Sequence, residues 1–336
     1  MPNQPIGLRE LLNHIFCATF GQPLSVASEQ ELEPIRDSIA KLRRCYKANT
    51  PESAYGNSSA RQAYMLAYYP YYIQPAMKIF SEIILKEPKI AAANELNLSF
   101  MAGGPCSEAI GVTEALQRNG KKCPVNITIL DRELGWKDQH DLTQRLCQHY
   151  QPEANITGFI GCNILQSCQT CPNAEQCRSK VFDTTNVYFL QNYLSHLPYR
   201  DIGLFLERFT EKIRLAKPGS VFAIIDLNYL QSRTVLQKLK LLETELPISL
   251  LGTNINQGIN IATHPFPDSL WQKKIFLPQD YLWPKCKVNY YYLVFRREMT
   301  AQDFIQQMRE HTRQAREQAQ QIQNYLQQTT EGSYAI

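Results

Sequence analysis

The stretch FMAGGPCSEAIGVTEAL, residues 100–116, decides the fold because it carries the chain from an apolar run through a glycine-rich turn into a helical segment. The run LNLSFMAG at 96–103 predicts a buried strand, and 107–118 has a helical pattern. Gly103 and Gly104 separate the two and let the backbone approach a ligand closely. The start of the following helix offers unpaired N–H groups, so the turn predicts a ligand site.

The same alternation of apolar run and helical segment continues to residue 297. Further runs are VNITILD (125–131), ITGFIGCN (156–163), NVYFLQNYL (186–194), SVFAIIDLN (220–228) and NYYYLVFRR (289–297). Helical candidates lie between the runs, at 107–118, 137–150, 200–216 and 231–246. The alternation predicts an α/β fold with a doubly wound, mainly parallel sheet of six or seven strands, which binds its ligand at the carboxyl ends of the strands.

The segments on either side of this region have helical patterns. In the first, Ser28 and Glu31 predict a capping box before a helix that reaches about Tyr46. We therefore expect three parts, which are an N-terminal helical domain at 1–90, an α/β domain at 91–298 and a C-terminal glutamine-rich helix or tail at 299–336.

The C-terminal segment is predicted to begin at a second capping box, formed by Thr300 and Asp303. Its thin apolar stripe consists of Phe304, Met308, His311, Ala315, Ile322 and Leu326. Because so narrow a stripe is weak for a coiled coil, it favours docking or a partly free tail over strong pairing with another chain.

The composition is that of a soluble protein. Apolar residues make up 44% and charged residues 20% of the 336 residues, which is ordinary for a globular chain. The N-terminus lacks the pattern of a secretory signal, and no window reaches 18 uninterrupted apolar residues. We expect a cytoplasmic protein with no membrane partner.

Positive charge is concentrated in two segments, although the formal net charge is only +4. The stretch KLRRCYK at 41–47 holds four basic and no acidic residues, and 269–297 holds six basic residues against Asp280 alone. Solvated surface explains such runs more often than an anionic partner does. RNA is the partner that we weigh against the surface explanation.

Four cysteines lie close together in the stretch GCNILQSCQTCPNAEQCRSK at 161–180, namely Cys162, Cys168, Cys171 and Cys177. Cysteines in the reducing cell interior are more often metal ligands than disulfide partners when they cluster. Tetrahedral zinc suits four thiolates, and the C-x2-C-x5-C portion with Pro172 also resembles iron–sulfur sites. Zinc, a [4Fe-4S] cluster and free thiols stay open, and we expect a metal-stapled insertion at 162–180 with a structural role.

Asp131 ends the second apolar run and stands 27 residues after Gly104. A carboxylate at this place accepts hydrogen bonds from the ribose hydroxyls of a bound nucleoside. The turn does not fit the dinucleotide pattern G-x-G-x-x-G, since Ala102 and Cys106 occupy two of the three positions. A nucleoside ligand other than NAD is therefore favoured, with a turn that needs its glycines for geometry alone as the alternative.

With these residues the chain resembles the class I S-adenosylmethionine-dependent methyltransferases over about residues 90–298. MAGGPCSE is similar to the family's first motif in its G-x-G-P-x-S-E variant, LQNYLSHL to its fourth motif, AKPGSVFAIIDLN to its fifth strand and YYYLVFRR to its closing strand. The resemblance implies a seven-stranded sheet and S-adenosylmethionine as cofactor. Ala102 and Cys106 depart from the family's glycines, and Asn163 stands where the family often has aspartate.

The resemblance also implies the site residues. Those expected to bind the cofactor are Ala102, Gly103, Gly104, Pro105, Asp131, Arg132, Asn163, Ile164 and Gln191, and those expected to face the transferred methyl group are Asn192 and Tyr193. His196 follows one turn later, although a lone histidine more often packs than acts as a base. The tyrosines at 64, 68, 69, 71 and 72 could stack on bases, although helix packing is the plainer explanation.

Two functions of different classes follow from these observations. The first is a methyltransferase that acts on RNA, and the second is a non-catalytic protein that keeps the fold and metal to bind RNA or a protein assembly. The helical leader and the cysteine cluster together are similar to ribosome-associated methyltransferase-like proteins that carry an iron–sulfur cluster. A small-molecule acceptor is a third alternative.

Overall fold

A sheet of eight strands lies at the centre of the chain, in the parts that the computed structural model describes, which are residues 6–23, 26–47, 55–262 and 287–331. Its strands are β1 (Leu96–Met101), β2 (Val125–Asp131), β3 (Ala154–Gly161), β4 (Val187–Gln191), β5 (Val221–Leu227), β6 (Ile248–Thr253), β7 (Ile259–Ala262) and β8 (Lys287–Arg297).

The strand order is β3-β2-β1-β4-β5-β8-β6, with β7 paired to β8. Strands β1 to β5 pair in parallel, whereas β8 runs antiparallel to β5, β6 and β7. The prediction of a largely parallel α/β sheet is confirmed. The short strands β6 and β7 were not identified from the sequence, and they bring the described sheet to eight strands.

The direction of winding reverses between β1 and β4. The chain places β2 and then β3 on one side of β1, and returns to place β4 and β5 on the other side. Connections on the two sides of such a switch point diverge, and they leave a crevice beyond the carboxyl ends of the strands.

Five helices precede the sheet, namely α1 (Leu8–Phe20), α2 (Glu29–Lys47), α3 (Ser58–Ala67), α4 (Ile73–Lys86) and α5 (Pro88–Ala92). The capping box before α2 forms as predicted, because both the backbone N–H and the hydroxyl of Ser28 donate to Glu31 Oε2 at 2.7 Å. Leu12 and Phe16 of α1 and Phe80 of α4 lie in the same apolar core as Ile127 of β2.

Among the described residues, five more α-helices lie between the strands, namely α6 (Ser107–Arg118), α7 (Lys137–Tyr150), α8 (Ala174–Cys177), α9 (Ile202–Leu215) and α10 (Leu230–Leu241). Helix α4 packs closely against α6 at Gly111, where an added Cβ would lie 2.8 Å from Met77 N and against Ile73 O. On the opposite face of the sheet, Phe205 and Phe209 of α9 belong to a second apolar core. Helices therefore cover the strands on both sides, as the doubly wound prediction requires.

The residues up to Arg297 form one compact unit, and those from Glu298 form another. The predicted boundary near residue 90 remains a prediction. The second unit contains α11 (Ala301–Glu331), which begins at the predicted capping box, since Thr300 Oγ1 donates to Asp303 Oδ2 at 2.7 Å. On this helix the apolar side chains of Phe304, Met308 and Ile322 are exposed. Among the described helices, none combines the length and apolar character needed to cross a bilayer.

Candidate functional site

A cavity of about 950 Å³ lies at the carboxyl ends of β1, β2 and β4, beside the switch point. Every residue predicted to bind cofactor or to face the methyl group lines it, namely Ala102, Gly103, Gly104, Pro105, Asp131, Arg132, Asn163, Ile164, Gln191, Asn192 and Tyr193. These residues come from four segments that are up to 91 residues apart in the chain.

The glycine-rich turn adopts a left-handed backbone at three positions. Gly104 has φ +52°, while Ala102 and Cys106 have φ +49° and +64°. A residue with a Cβ costs about 1–2 kcal/mol in this conformation. Ala102 and Cys106 therefore keep the backbone shape that glycine would adopt there, and the Cys106 side chain is buried outside the residues that line the cavity.

Asp131 holds the glycine-rich turn by the backbone N–H of Gly104. Its Oδ2 accepts from Gly104 N at 2.8 Å, and its Oδ1 accepts from Glu133 N at 2.8 Å. Burial raises the pKa of this carboxyl, and these two hydrogen bonds oppose that rise. Each carboxylate oxygen has a second lone pair, so Asp131 can accept hydroxyl donors from the cavity while it holds the turn.

The carbonyl groups of the same turn are held from helix α7. His140 Nε2 donates to Gly104 O at 2.9 Å, and Thr143 Oγ1 donates to Pro105 O at 2.6 Å. Burial lowers the pKa of His140, so the neutral ring is favoured. Neither His140 nor Thr143 lines the cavity, so both support the turn from behind.

The segment after β4 is shaped by a second buried acid. Asp226 accepts from Leu194 N at 2.6 Å, and from Ser195 N at 3.2 Å. Burial raises the pKa of Asp226 to about 6. Asn192, which precedes these amides, has φ +57°, a conformation that asparagine tolerates better than most residues. The two acids, at the ends of β2 and β5, thus hold the two turns that border the cavity.

Gln191 leaves an unused acceptor in the cavity wall. Its Nε2 donates to Tyr72 O at 2.8 Å, which fixes the side-chain amide. Its Oε1 is buried and accepts from no protein donor in the described structure. A buried polar atom without a partner is costly, so this oxygen favours a ligand with a hydrogen-bond donor.

Aromatic rings form a wall of which the sequence indicated only Tyr64 and Tyr72, as residues that could stack on bases. Tyr55, Tyr64, Tyr72 and Trp136 all line the cavity. The ring centroid of Trp136 lies 5.2 Å from that of Tyr55 and 5.4 Å from that of Tyr64. Of the tyrosines considered for stacking, only 64 and 72 line the cavity, whereas 68, 69 and 71 are buried in packing. The tyrosine-rich leader thus contributes both core and cavity wall.

Glu108 was also missed as a site residue. It lies in the first turn of α6 and lines the cavity, yet it is only 6% exposed. Its carboxyl group accepts a hydrogen bond from Ser107 Oγ at 3.3 Å, and no basic side chain pairs with it among the described residues. Burial raises the pKa of Glu108 to about 7, and the neighbouring charge of Asp131 adds to the rise. The position of glutamate directly after Ser107 in the turn motif was the only sequence signal.

The four predicted metal ligands line a second, smaller cavity. The Sγ atoms of Cys162, Cys171 and Cys177 lie within 4.8 Å of one another, and that of Cys168 lies outside this group. A hydrogen bond between Cys162 and Cys177 lowers the pKa of the first thiol and raises that of the second. Burial raises the pKa of Cys168 to about 11. Cys162 lines both cavities, so the cysteine cluster adjoins the first one.

The loop that carries these cysteines is fixed by helix α9. Lys212, which is 3% exposed, donates from Nζ to Ile164 O at 3.1 Å and to Gln166 O at 3.2 Å. Glu211 Oε1 accepts from Ser167 Oγ and from Cys168 N. The Lys212 ammonium also lines the cysteine cavity, where its positive charge stabilises thiolates.

The basic segments differ in how much charge they expose. On α2, Lys41 and Arg44 are exposed. In the second segment, Arg296 pairs with Glu87 at 2.9 Å, and Arg297 is buried. Lys273, Lys274 and Lys285 lie outside the described residues. In the second segment, Arg296 is therefore half-buried and neutralised by Glu87, and Arg297 is buried, so these two charges do not form an open basic surface.

Comparisons with known proteins give weak similarity. No protein family model matches the chain, and no curated protein matches it in sequence. Loganic acid methyltransferase with SAH is 9% identical, with 70% of this chain and 96% of that chain covered and a TM-score of 0.42. A putative class I S-adenosylmethionine-dependent methyltransferase from Listeria monocytogenes is 10% identical, with 87% and 90% covered and a TM-score of 0.41. An O-methyltransferase family protein from Burkholderia thailandensis is 14% identical, with 78% and 72% covered and a TM-score of 0.39. With TM-scores below 0.5, a functional assignment must rest on the site itself.

Proposed function

We propose that the protein is an S-adenosylmethionine-dependent methyltransferase that acts on RNA. The observation that carries this proposal is the cavity at the switch point, which is lined together by the glycine-rich turn, the acid after β2 and the residues after β3 and β4. Each of these segments offers a group that suits one part of the cofactor.

The lining residues fit the cofactor by their chemistry. Asp131 keeps lone pairs for the two ribose hydroxyls, and the turn at Gly104 admits a ligand close to the backbone. Asn163 and Ile164 provide a polar and an apolar wall for adenine. Arg132 borders the same region. Gln191 Oε1 can accept from an amino group at the other end of the ligand.

The cofactor, when bound, supplies a methyl group already activated by the sulfonium charge. The protein must therefore align the acceptor and, for a weak nucleophile, remove its proton. Asn192 and Tyr193 line the cavity after β4, and Asp226 holds the amides that follow them. We assign these two residues to acceptor orientation. His196 and Glu108 also line the cavity and are the titratable groups that can take a proton there.

RNA as the acceptor is supported by two features. The half-buried rings of Tyr55 and Tyr64 line the cavity and offer π-faces on which a base can stack. The exposed Lys41 and Arg44 can neutralise phosphate charge. The resemblance to ribosome-associated proteins points in the same direction, and it makes a ribosome-like RNA–protein assembly the first partner to try.

A metal ion held by the cysteines is part of the proposal. Four thiolates about 2.3 Å from a tetrahedral zinc ion lie about 3.8 Å apart, whereas a cluster of four iron atoms spreads its ligands more widely. The sulfurs of Cys162, Cys171 and Cys177, all within 4.8 Å of one another, favour a single zinc ion with Cys168 as the fourth ligand. Its role is structural, because it would fix the loop that continues into Asn163 and Ile164.

The test of the cofactor assignment is calorimetric titration with S-adenosylmethionine, followed by transfer of labelled methyl groups to total RNA and to small acceptors. Micromolar binding with labelled RNA is the expected result. Absence of binding in folded, metal-containing protein would refute the assignment. Binding without transfer to any acceptor would instead identify the non-catalytic alternative, and transfer only to small molecules would refute RNA.

The RNA contact has its own test with a matched control. The double variant Lys41→Ala/Arg44→Ala should weaken RNA binding and reduce the slope of log affinity against log salt concentration by about 2, since two phosphate contacts would be lost. The control Lys238→Ala/Lys240→Ala removes two exposed charges from α10 instead. Equal effects of the two double variants would refute a specific role for α2.

A further inference from the structure

We propose that Glu108 makes binding in the cavity depend on the charge of the cofactor. The cavity then binds the cationic methyl donor with release of a proton, and it prefers this donor to the neutral demethylated product. This inference rests on the proposed function, because it assigns a role to a residue within the same cavity. It adds a residue that determines ligand preference and a dependence on pH.

The electrostatic environment of the cavity carries the inference. Glu108, Asp131 and Glu133 line it, against Arg132 as the one arginine or lysine among the described lining residues. Asp131 uses both carboxylate oxygens on backbone amides, and Glu133 accepts from Gly135 N at 2.9 Å and lies 3.7 Å from Arg61. Glu108 differs from both, because neither a basic side chain nor a backbone turn of another segment engages its carboxyl group in the described structure.

A second, independent observation points to the same kind of ligand group. Gln191, which is 4% exposed, presents an acceptor oxygen that no protein donor reaches in the described part of the chain. Glu108 and Gln191 thus both line the cavity, where Glu108 has no basic partner and Gln191 Oε1 has no donor in the described structure. An ammonium group has three donors, no acceptor and a positive charge, and it suits both residues. The amino-acid ends of the methyl donor and of its product both carry such a group, so it accounts for binding beside Glu108, and the preference between the two ligands must come from the sulfur.

The other titratable groups near Glu108 do not neutralise it. Asp131, on β2, adds negative charge. Tyr69, before α4, and Cys106, beside the helix start, have pKa values raised by burial, and both stay neutral near pH 7. His140, on α7, has a lowered pKa and donates to Gly104 O. Among the described groups, a bound cation is therefore what would stabilise the charged form of Glu108.

The methyl donor and its product differ in charge at the sulfur. The donor carries a sulfonium and an ammonium against one carboxylate, whereas the product lacks the sulfonium charge. A negative cavity attracts the donor more strongly than the product, and the bound donor lowers the pKa of Glu108. Because that pKa is about 7 in the free protein, binding at pH 7 should release about half a proton.

The experiment is calorimetric titration of the full chain with the donor and with the product at pH 6 and pH 7, each in two buffers of different ionisation enthalpy. We expect donor affinity to rise about fivefold between pH 6 and pH 7, because the ionised fraction of a group with a pKa of about 7 rises by that factor. We also expect that binding of the donor releases more protons than binding of the product does, and that the donor binds more tightly than the product.

In the variant Glu108→Gln, donor binding should release few protons, donor affinity should change little between pH 6 and pH 7, and the ratio of donor affinity to product affinity should fall. The control Glu114→Gln makes the same change on the same helix, at a buried residue that pairs with Arg118 and lies outside the cavity, and it should behave like the unmodified protein. Donor binding without proton exchange in the unmodified protein overturns the inference even if Glu108→Gln does not fold. Failure of both ligands to bind would instead refute the proposed function.

Discussion

Replacement of Asp131 by alanine should weaken the binding of S-adenosylmethionine and destabilise the fold at once. The side chain is 8% exposed and accepts two backbone hydrogen bonds, both at 2.8 Å, from Gly104 N and Glu133 N. Hydrogen bonds to a charged group contribute about 1.5–3 kcal/mol each, and burial of the carboxylate offsets part of this contribution. We expect Asp131→Ala to lower the free energy of unfolding by about 2–3 kcal/mol.

The effect on affinity adds the lost ribose contact. Hydrogen bonds from the ribose hydroxyls to the carboxylate are expected to contribute about 1.5–3 kcal/mol, so the dissociation constant should rise about 10- to 150-fold. Calorimetry with the cofactor measures this change, and urea unfolding with circular dichroism measures the change in stability. The two measurements together separate a weakened site from an unfolded one.

The control variant is His140→Ala, because His140 holds Gly104 O from behind the turn without lining the cavity. If Asp131 binds ribose, its replacement should reduce affinity clearly more than this control does. A cofactor analogue without the 2′-hydroxyl should also lose less affinity in Asp131→Ala than in the unmodified protein. Equal losses in the two variants, or an unchanged affinity in folded Asp131→Ala, would refute the ribose assignment.

Three further predictions concern strain, metal and pH. Ala102→Gly should raise the free energy of unfolding by about 0.5–1 kcal/mol in urea titrations, since glycine adopts a φ of +49° without strain. A loss of stability would show that packing of the Ala102 methyl group contributes more than its φ costs. Cys168→Ser/Cys171→Ser should abolish bound zinc in elemental analysis and weaken cofactor binding less than Asp131→Ala does. The control Cys123→Ser, at a buried cysteine outside both cavities, should keep the metal. About four iron atoms per chain would favour a cluster, and no metal in anaerobically prepared protein would refute the site. The pKa of Glu108 is raised from 4.5 to about 7, so folding favours the protonated carboxyl; its contribution to stability is present below about pH 4.5 and is lost as pH rises through 7. The free energy of unfolding of Glu108→Gln should therefore rise by about 2–3 kcal/mol relative to that of the unmodified protein between pH 5 and pH 8. A pH-independent difference in urea unfolding would contradict this.

The elements set by local sequence were predicted closely. The two capping boxes, Ser28 with Glu31 and Thr300 with Asp303, form as expected, because their partners are three residues apart and need no tertiary contact. The helices predicted at 107–118 and 137–150 have those bounds. Buried parallel strands were equally clear, since strands covered on both faces appear as continuous apolar runs.

Strands that depend on distant partners were missed. Strands β6 and β7 pair with β8, which lies further along the chain. The paired residues are at least 40 positions apart for β6, as in Thr253 with Leu293, and up to 31 positions apart for β7, as in Ile259 with Tyr290. Neither forms a long apolar run, because β6 is only partly buried over most of its length. Their strand character comes from hydrogen bonds to β8, which a local pattern does not reveal.

The residues that line the site were predictable where a motif stood beside a strand end. The glycine-rich turn, Asp131 and the residues after β3 and β4 were found because the carboxyl ends of parallel strands meet at one edge of the sheet. The aromatic wall was found only in part. Tyr64 and Tyr72 were named as residues that could stack, but Tyr55 and Trp136 were not, since only packing brings the helical leader to Trp136.

Charge states were decided by the tertiary structure alone. Glutamate in the sequence indicates an ionised surface residue, and only burial without a basic partner raises the pKa of Glu108 to about 7. From the sequence, Arg296 was included in a basic segment that could form a charged surface, but in the fold it pairs with Glu87. The sequence by itself determined the order and the approximate bounds of the helices and parallel strands, because these depend largely on neighbours a few residues away. The tertiary structure decided which side chains share the cavity and what charge they hold there, because desolvation and pairing depend on segments that are distant in the chain.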